Sequence, residues 1–79
     1  MFVVYILYSV SKDKYYIGHS EDVIRRVDEH NHKKNLGAID WKLKYFEEFE
    51  TRGAAMKREL EIKSKKRRSY LENLIHSFG

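Results

Sequence analysis

Nine residues at the start of the chain, Phe2 to Val10, limit its fold more than any other stretch. The run is rich in Val, Ile, Leu and Tyr and contains nothing that breaks a strand. In extended backbone Phe2, Val4, Ile6 and Tyr8 fall on one face and Val3, Tyr5 and Leu7 on the other. Both faces are apolar, which predicts a central strand covered on both sides rather than a sheet edge. Tyr15 to His19 follows after the short loop Ser11-Lys12-Asp13-Lys14 and reads as the return strand of a hairpin. A four-residue loop gives cross-strand partners opposite parity, so Tyr5 and Tyr16 should share a face, with the register left open and a bulge able to reverse the result.

The rest of the pattern alternates helix and strand. Ser20 is a good N-cap, and a helix is expected from about Glu21 to His32, with Val23, Ile24 and Val27 inward and Arg26 and His30 stacked at i, i+4. Lys33 to Asp40 reads as a loop around Gly37. Trp41 to Phe49 starts as an alternation of Trp41, Leu43 and Tyr45 against Lys42 and Lys44, which predicts a third strand. Thr51 can cap a helix over Arg52 to Lys63 whose apolar stripe is Ala55, Met56, Leu60 and Ile62. Tyr70, Leu71, Leu74, Ile75 and Phe78 then recur at helical spacing. The expected order is β-β-α-β-α-α: an α+β domain with a small three-stranded, mainly antiparallel sheet and flanking helices.

Seventy-nine residues suffice for one domain spanning residues 1–79, with a small core. Without cysteine, neither a disulfide nor a thiolate metal site can staple it. Phe2 to Val10 is too short to span a bilayer and lacks the flanks of a signal peptide, so the expectation is a soluble cytoplasmic protein without membrane contact. Charge is concentrated. Thr51 to Arg68 carries eight basic residues and two acids, a net of +6, so the remainder of a chain of net +4 sums to −2. Such a cluster suits a phosphate-facing surface, and it also suits a solvated helix face.

Glu59 lies inside the apolar stripe of its helix, where a bare carboxylate is costly. It must be paired, with Lys63 at i+4 the obvious partner, or bound to a hard cation such as Mg²⁺ that takes one carboxylate plus water and phosphate. Arg26 and His30 present a fixed cation and a titratable imidazole on one side of a helix, a set suited to phosphate chemistry and equally to an ordinary surface. Strand tyrosines are usually core or rim residues; one acts as a base only where nearby cations lower its pKa.

Taken together, Tyr5, Tyr16-Ile17-Gly18, Arg26, His30 and Glu59 resemble in order and spacing the GIY-YIG nuclease superfamily. They are closest to its small stand-alone members, which are similar to the nuclease half of the bacterial excision-repair incision protein. The likeness runs from Val3 to about Leu74 and includes Glu59-Leu60-Glu61-Ile62-Lys63. Valines stand in the first motif, Val3-Val4-Tyr5, where the family has Gly-Ile, and His19 stands where repair-type relatives often carry lysine. The extra histidine and late asparagine of some homing-endonuclease relatives have no clear match, His32 and Asn73 being poor candidates.

The resemblance implies a metal-dependent endonuclease acting on DNA, with RNA not excluded, in repair or recombination. By the same resemblance Tyr5, Tyr16, Arg26, His30 and Glu59 are catalytic. Glu59 would hold Mg²⁺ or Mn²⁺, Tyr5 as phenolate would take a proton from the attacking water, and Arg26 would neutralise the phosphorane. Tyr16 and His30 would orient water or relay protons. His19, Lys57, Lys63, Lys65, Lys66, Arg67 and Arg68 are the candidate nucleic-acid contacts. With no added DNA-binding domain, selectivity would come from DNA structure or from a protein partner. Two other readings compete: a nucleic-acid-binding module without turnover, and a protein-interaction domain that uses the terminal amphipathic helix.

Overall fold

A computed structural model describes residues 1–33, 37–65 and 67–78. The elements come in the expected order: β1 (Phe2–Ser9), β2 (Lys14–Ser20), α1 (Val23–Lys33), β3 (Trp41–Phe49), α2 (Arg52–Lys65) and α3 (Arg68–Phe78). The sheet order is β2-β1-β3 and both pairings are antiparallel. The two-faced strand β1 is therefore central, and Val4, Tyr5, Ile6 and Leu7 are almost wholly buried. Each such side chain contributes roughly 1.5–3 kcal/mol by leaving water. Tyr5, Leu7, Tyr16, Leu43 and Trp41 pack with Val23 and Val27 of α1 on one face. On the other, Val4, Phe2, Ile17 and Phe49 pack against Ala55 and Ile62 of α2 and Tyr70, Leu71 and Leu74 of α3. The apolar stripe of the last helix is thus only partly covered: Tyr70, Leu71, Leu74 and Ile75 are half-buried and Phe78 is 47% exposed. No helix among the described residues is long and apolar enough to cross a membrane.

The hairpin pairs Tyr5 with Gly18 and Leu7 with Tyr16, so the opposite parity holds and the two tyrosines share the α1 face. Its four-residue loop is Val10–Asp13, one position earlier than expected. Asp13 takes a positive φ of 52°, which Asp tolerates at little cost. Asp13 is held there by a hydrogen bond from Tyr8 and an ion pair with Arg68 at 2.6 Å. The bulge lies instead in β3. Ile6 pairs with Tyr45 but Leu7 with Leu43, leaving Lys44 as the extra residue. Trp41 and Leu43 consequently face α1, while Tyr45 faces α2 and α3, against the expectation that all three share a side.

Two other expectations are corrected. Asp22, not Ser20, caps α1: its Oδ1 accepts from the Arg25 N–H at 3.1 Å. Ser20 is still paired in β2, with Val3, so the helix starts only after a further turn. On α2, Met56 and Leu60 (66% exposed) lie outside the buried stripe, which consists of Ala55 and Ile62. Thr51 caps this helix as expected, its Oγ1 accepting from the Ala54 N–H at 3.1 Å.

Polar clamps tie the layers together. The Asn31 amide accepts from the Trp41 N–H at 2.7 Å and donates to the Trp41 carbonyl at 3.0 Å, joining the end of α1 to the start of β3. Asp40 accepts from Ser9 Oγ at 2.6 Å and the Ser11 N–H at 2.8 Å, fixing the hairpin to the segment before β3. Arg58 bridges α2 to Glu47 of β3 at 3.0 Å and also pairs with Glu61.

Candidate active site

The hairpin register sets the first half of the site. Tyr5 and Tyr16 lie on the α1 face of β1 and β2, their ring centroids 6.3 Å apart. The Tyr5 ring crosses Gly18: a Cβ placed there would stand 3.0 Å from the Tyr5 hydroxyl and 3.0 Å from the Tyr16 ring. Glycine at this position is therefore a matter of space, which connects the Tyr-Ile-Gly motif to the tyrosine of the preceding strand. Arg26 of α1 lies beside the Tyr5 hydroxyl and pairs with Glu29 at 3.1 Å. Burial pushes the Tyr5 phenol up, Arg26 opposes it, and the charges of Tyr16 and Glu59 add to the rise. With this set of charges Tyr5 is protonated at neutral pH, and Arg26 is the group that favours its phenolate.

His30 departs from the sequence picture of an accessible imidazole. It is 2% exposed and stands edge-on to the Tyr16 ring at 5.2 Å. Neither ring nitrogen has a hydrogen-bond partner among the described residues. Burial pushes its pKa below the ordinary imidazole value, Arg26 pushes the same way and Glu29 opposes. In the unfolded chain His30 takes a proton near pH 6.5, and in the folded chain it resists one. Its contribution is therefore complete above about pH 6.5 and declines as pH falls from there towards the folded pKa. Thermal melts between pH 8 and pH 5 should show a stability slope that His30→Phe reduces; equal slopes would refute this assignment. A separate acid step should follow below about pH 4, because Asp13 and Asp40 are held at about 2 by hydrogen bonds that protonation breaks.

The second half lies across β2, on the face that carries α2. Glu59 is 15% exposed at its side chain. Its Oε1 is 2.5 Å from His19 Nδ1, and its Oε2 accepts from Lys63 Nζ at 2.6 Å. The i+4 ion pair foreseen from the sequence exists, and His19 is a second partner that the sequence did not reveal. Burial pushes the carboxyl up, but the hydrogen bonds from Lys63 and His19 outweigh it, and the pKa ends below its ordinary value. Glu59 is thus an ionised carboxylate at neutral pH. No group of three or more His, Cys, Asp or Glu side chains gathers among the described residues. A hard, well-hydrated cation such as Mg²⁺ takes one carboxylate and completes its shell with water and phosphate, and here it would have to displace Lys63 or His19 from the Glu59 oxygens.

The two halves are neighbours rather than walls of one pocket. Glu59, on the α2 face, exerts only a minor electrostatic influence on the Tyr5 hydroxyl, which lies on the α1 face. None of the cavities found among the described residues is lined by both Glu59 and the tyrosine pair. A cavity of about 280 Å³ adjoins His19, between the N-terminal ends of α1 and α2, where Arg25 and Arg52 line it.

The expected basic strip is only partly available. Arg68 is committed to Asp13 at 2.6 Å and Glu72 at 3.0 Å and lies over the Tyr8 and Tyr15 rings, so it secures the hairpin. Lys63 is held by Glu59, and Lys65 Nζ lies 5.9 Å from the Tyr70 ring centre. Lys57 and Arg67 are exposed; Lys66 lies outside the described residues. Arg25 and Arg52 are not among the contacts expected from the sequence, although Arg25 is adjacent to Arg26 and Arg52 opens α2 and belongs to the basic cluster of Thr51 to Arg68.

Residues 1–73 match the family model of the GIY-YIG catalytic domain. The chain belongs to the GIY-YIG family. It is also 46% identical over 65 residues to a UPF0213 protein of Haloquadratum walsbyi, an alignment covering 77% of this chain and 72% of that relative. No solved structure matches it. A GIY-YIG domain implies a nuclease-type function with a nucleic-acid substrate. The GIY-YIG match spans both halves of the site, from Tyr5 on β1 to Glu59 on α2.

Proposed function

We propose that this GIY-YIG domain is a divalent-metal-dependent endonuclease that hydrolyses phosphodiester bonds in DNA. The observation that carries the reading is Glu59: a mostly buried carboxylate, kept ionised, on the same GIY-YIG scaffold as a phenol–guanidinium pair on the other face of the sheet. Glu59 would hold Mg²⁺ or Mn²⁺, whose chemistry is to stabilise the charge on the leaving oxygen. Arg26 neutralises the phosphorane; Tyr5, protonated in the metal-free protein, would take up the proton of the attacking water only with a bound cation adding to Arg26 in favour of its phenolate. Tyr16 shares a face with Tyr5 and orients that water. His30, buried behind Tyr16, holds the ring in place rather than meeting solvent. His19 steadies Glu59 through Nδ1.

Target choice by DNA structure or by a partner protein, in repair or recombination, completes the proposal and rests on the resemblance to repair nucleases. The rival reading is a nucleic-acid-binding module without turnover, and the engagement of both Glu59 oxygens favours it. Supercoiled plasmid incubated with the protein and Mg²⁺ decides between them. Nicking should appear with Mg²⁺ or Mn²⁺, stop with chelator, and fall by roughly 10²–10³-fold in Arg26→Ala, the effect of removing one transition-state donor. Plasmid left intact under every divalent ion would leave the binding module standing.

A further inference from the structure

We infer that the cavity between the N-terminal ends of α1 and α2 is a second phosphate subsite, gripping the strand at a linkage next to the one cleaved. The inference rests on the nuclease reading for what lies alongside it, but not for the binding itself. Most of the cations near the site already have partners. Arg26 is held by Glu29 and Tyr5, Arg58 by Glu47 and Glu61, Arg68 by Asp13 and Glu72, and Lys63 by Glu59. Arg25 is different. The nearest carboxylate oxygen of Glu29 is 3.8 Å away and that residue pairs more closely with Arg26, at 3.1 Å; the Arg25 side chain is 71% exposed.

Arg52 forms no ion pair among the described residues and lies 5.3 Å above the centre of the Phe2 ring. A ring beneath a guanidinium restrains it without neutralising it. These two cations come from different helices and line the same cavity, which also reaches His19 and therefore adjoins Glu59.

The size and charge of the cavity indicate its ligand. About 280 Å³ is at the lower end of ligand sites, enough for part of one nucleotide and not for a duplex. Glu21 and Asp22 also line it, and the Asp22 carboxylate is already engaged on the Arg25 N–H. Glu21 and Asp22 balance the formal charge of the two arginines, so the site offers directed guanidinium hydrogen bonds rather than a net positive charge, which suits a singly charged phosphodiester better than a polyphosphate. Guanidinium groups match its paired oxygens, and the Phe2 ring beneath Arg52 gives the neighbouring sugar or base an apolar surface.

The test is equilibrium binding of fluorescein-labelled DNA in EDTA, where cleavage plays no part. Arg25→Ser/Arg52→Ser should bind at least about tenfold more weakly than wild type, with its melting temperature little changed. The slope of log K against log salt should fall by about 2, as expected for two lost phosphate contacts. Lys12→Ser/Lys42→Ser removes the same charge from the hairpin end of the sheet and serves as the control. It should keep the wild-type slope. A double arginine variant that binds like wild type, or a control that weakens equally, would overturn the subsite. Loss of binding in the arginine variant alone would uphold it even if wild type never nicks plasmid, so the two proposals fail separately.

Discussion

Glu59→Gln is expected to reduce plasmid nicking by about 10³-fold or more while the protein folds and still binds DNA. The amide is nearly isosteric but carries no charge, so it can neither hold a hard cation nor balance Lys63. Removing charge stabilisation at a transition state costs several kcal/mol, and each 1.36 kcal/mol is a factor of ten in rate. The stability cost should be small. Lys63 is 46% exposed at its side chain and can be solvated, and the glutamine amide can still hydrogen-bond to His19, so the loss is that of one hydrogen bond, about 1 kcal/mol. Nicking rates and thermal melts of the two proteins, taken together, check both parts. A Glu59→Gln protein that nicks at the wild-type rate would remove Glu59 from the chemistry. One that unfolds would make its role structural.

Gly18→Ala should damage both stability and turnover. The backbone there is not in the left-handed region, so alanine brings no conformational penalty, and in a strand it would ordinarily be tolerated. Crowding decides the sign. The new methyl would stand 3.0 Å from the Tyr5 hydroxyl and the Tyr16 ring and 3.2 Å from Tyr5 Cζ. Tyr5 is 1% exposed, so its ring has little room to retreat. Overpacking of this kind costs roughly 1–3 kcal/mol. Displacing both phenols by even a fraction of an ångström should slow cleavage by about 10²-fold. Urea melts and nicking rates measure the two effects. An alanine variant that melts and cuts like wild type would show that the phenols are not held against Gly18.

The legible parts of this chain were those fixed by strong local patterns. The two apolar faces of Phe2 to Tyr8 could only suit a covered strand, and β1 is central. The four-residue loop fixed the parity that places Tyr5 and Tyr16 together. Where several turns compete the pattern was weaker: Ser20 and Asp22 are both good caps, and only the length of β2 selects Asp22. Burial on α2 was misread because Met56 and Leu60 are apolar yet face solvent, while Glu59 faces the sheet. The His19–Glu59 contact joins residues forty positions apart and leaves no local trace. The commitment of Arg68 to the hairpin is likewise a product of tertiary structure. Arg25, and Arg52 within its basic cluster, were not singled out because what distinguishes them is a lack of close partners, which only coordinates reveal.

The extra residue in β3 constrains how this chain can change in length. Removing Lys44 would leave a strand able to hydrogen-bond without interruption. Leu7 would stay opposite Leu43 and Ile6 opposite Tyr45, so Tyr45, Glu47 and Phe49 would keep facing the last two helices and Glu47 would stay on Arg58. Insertions of two residues in the hairpin loop preserve every inward-facing side chain. Within β3 the loss of Lys44 is the one single-residue deletion that preserves those faces, so natural length variation among close relatives should collect at the loop and at this position.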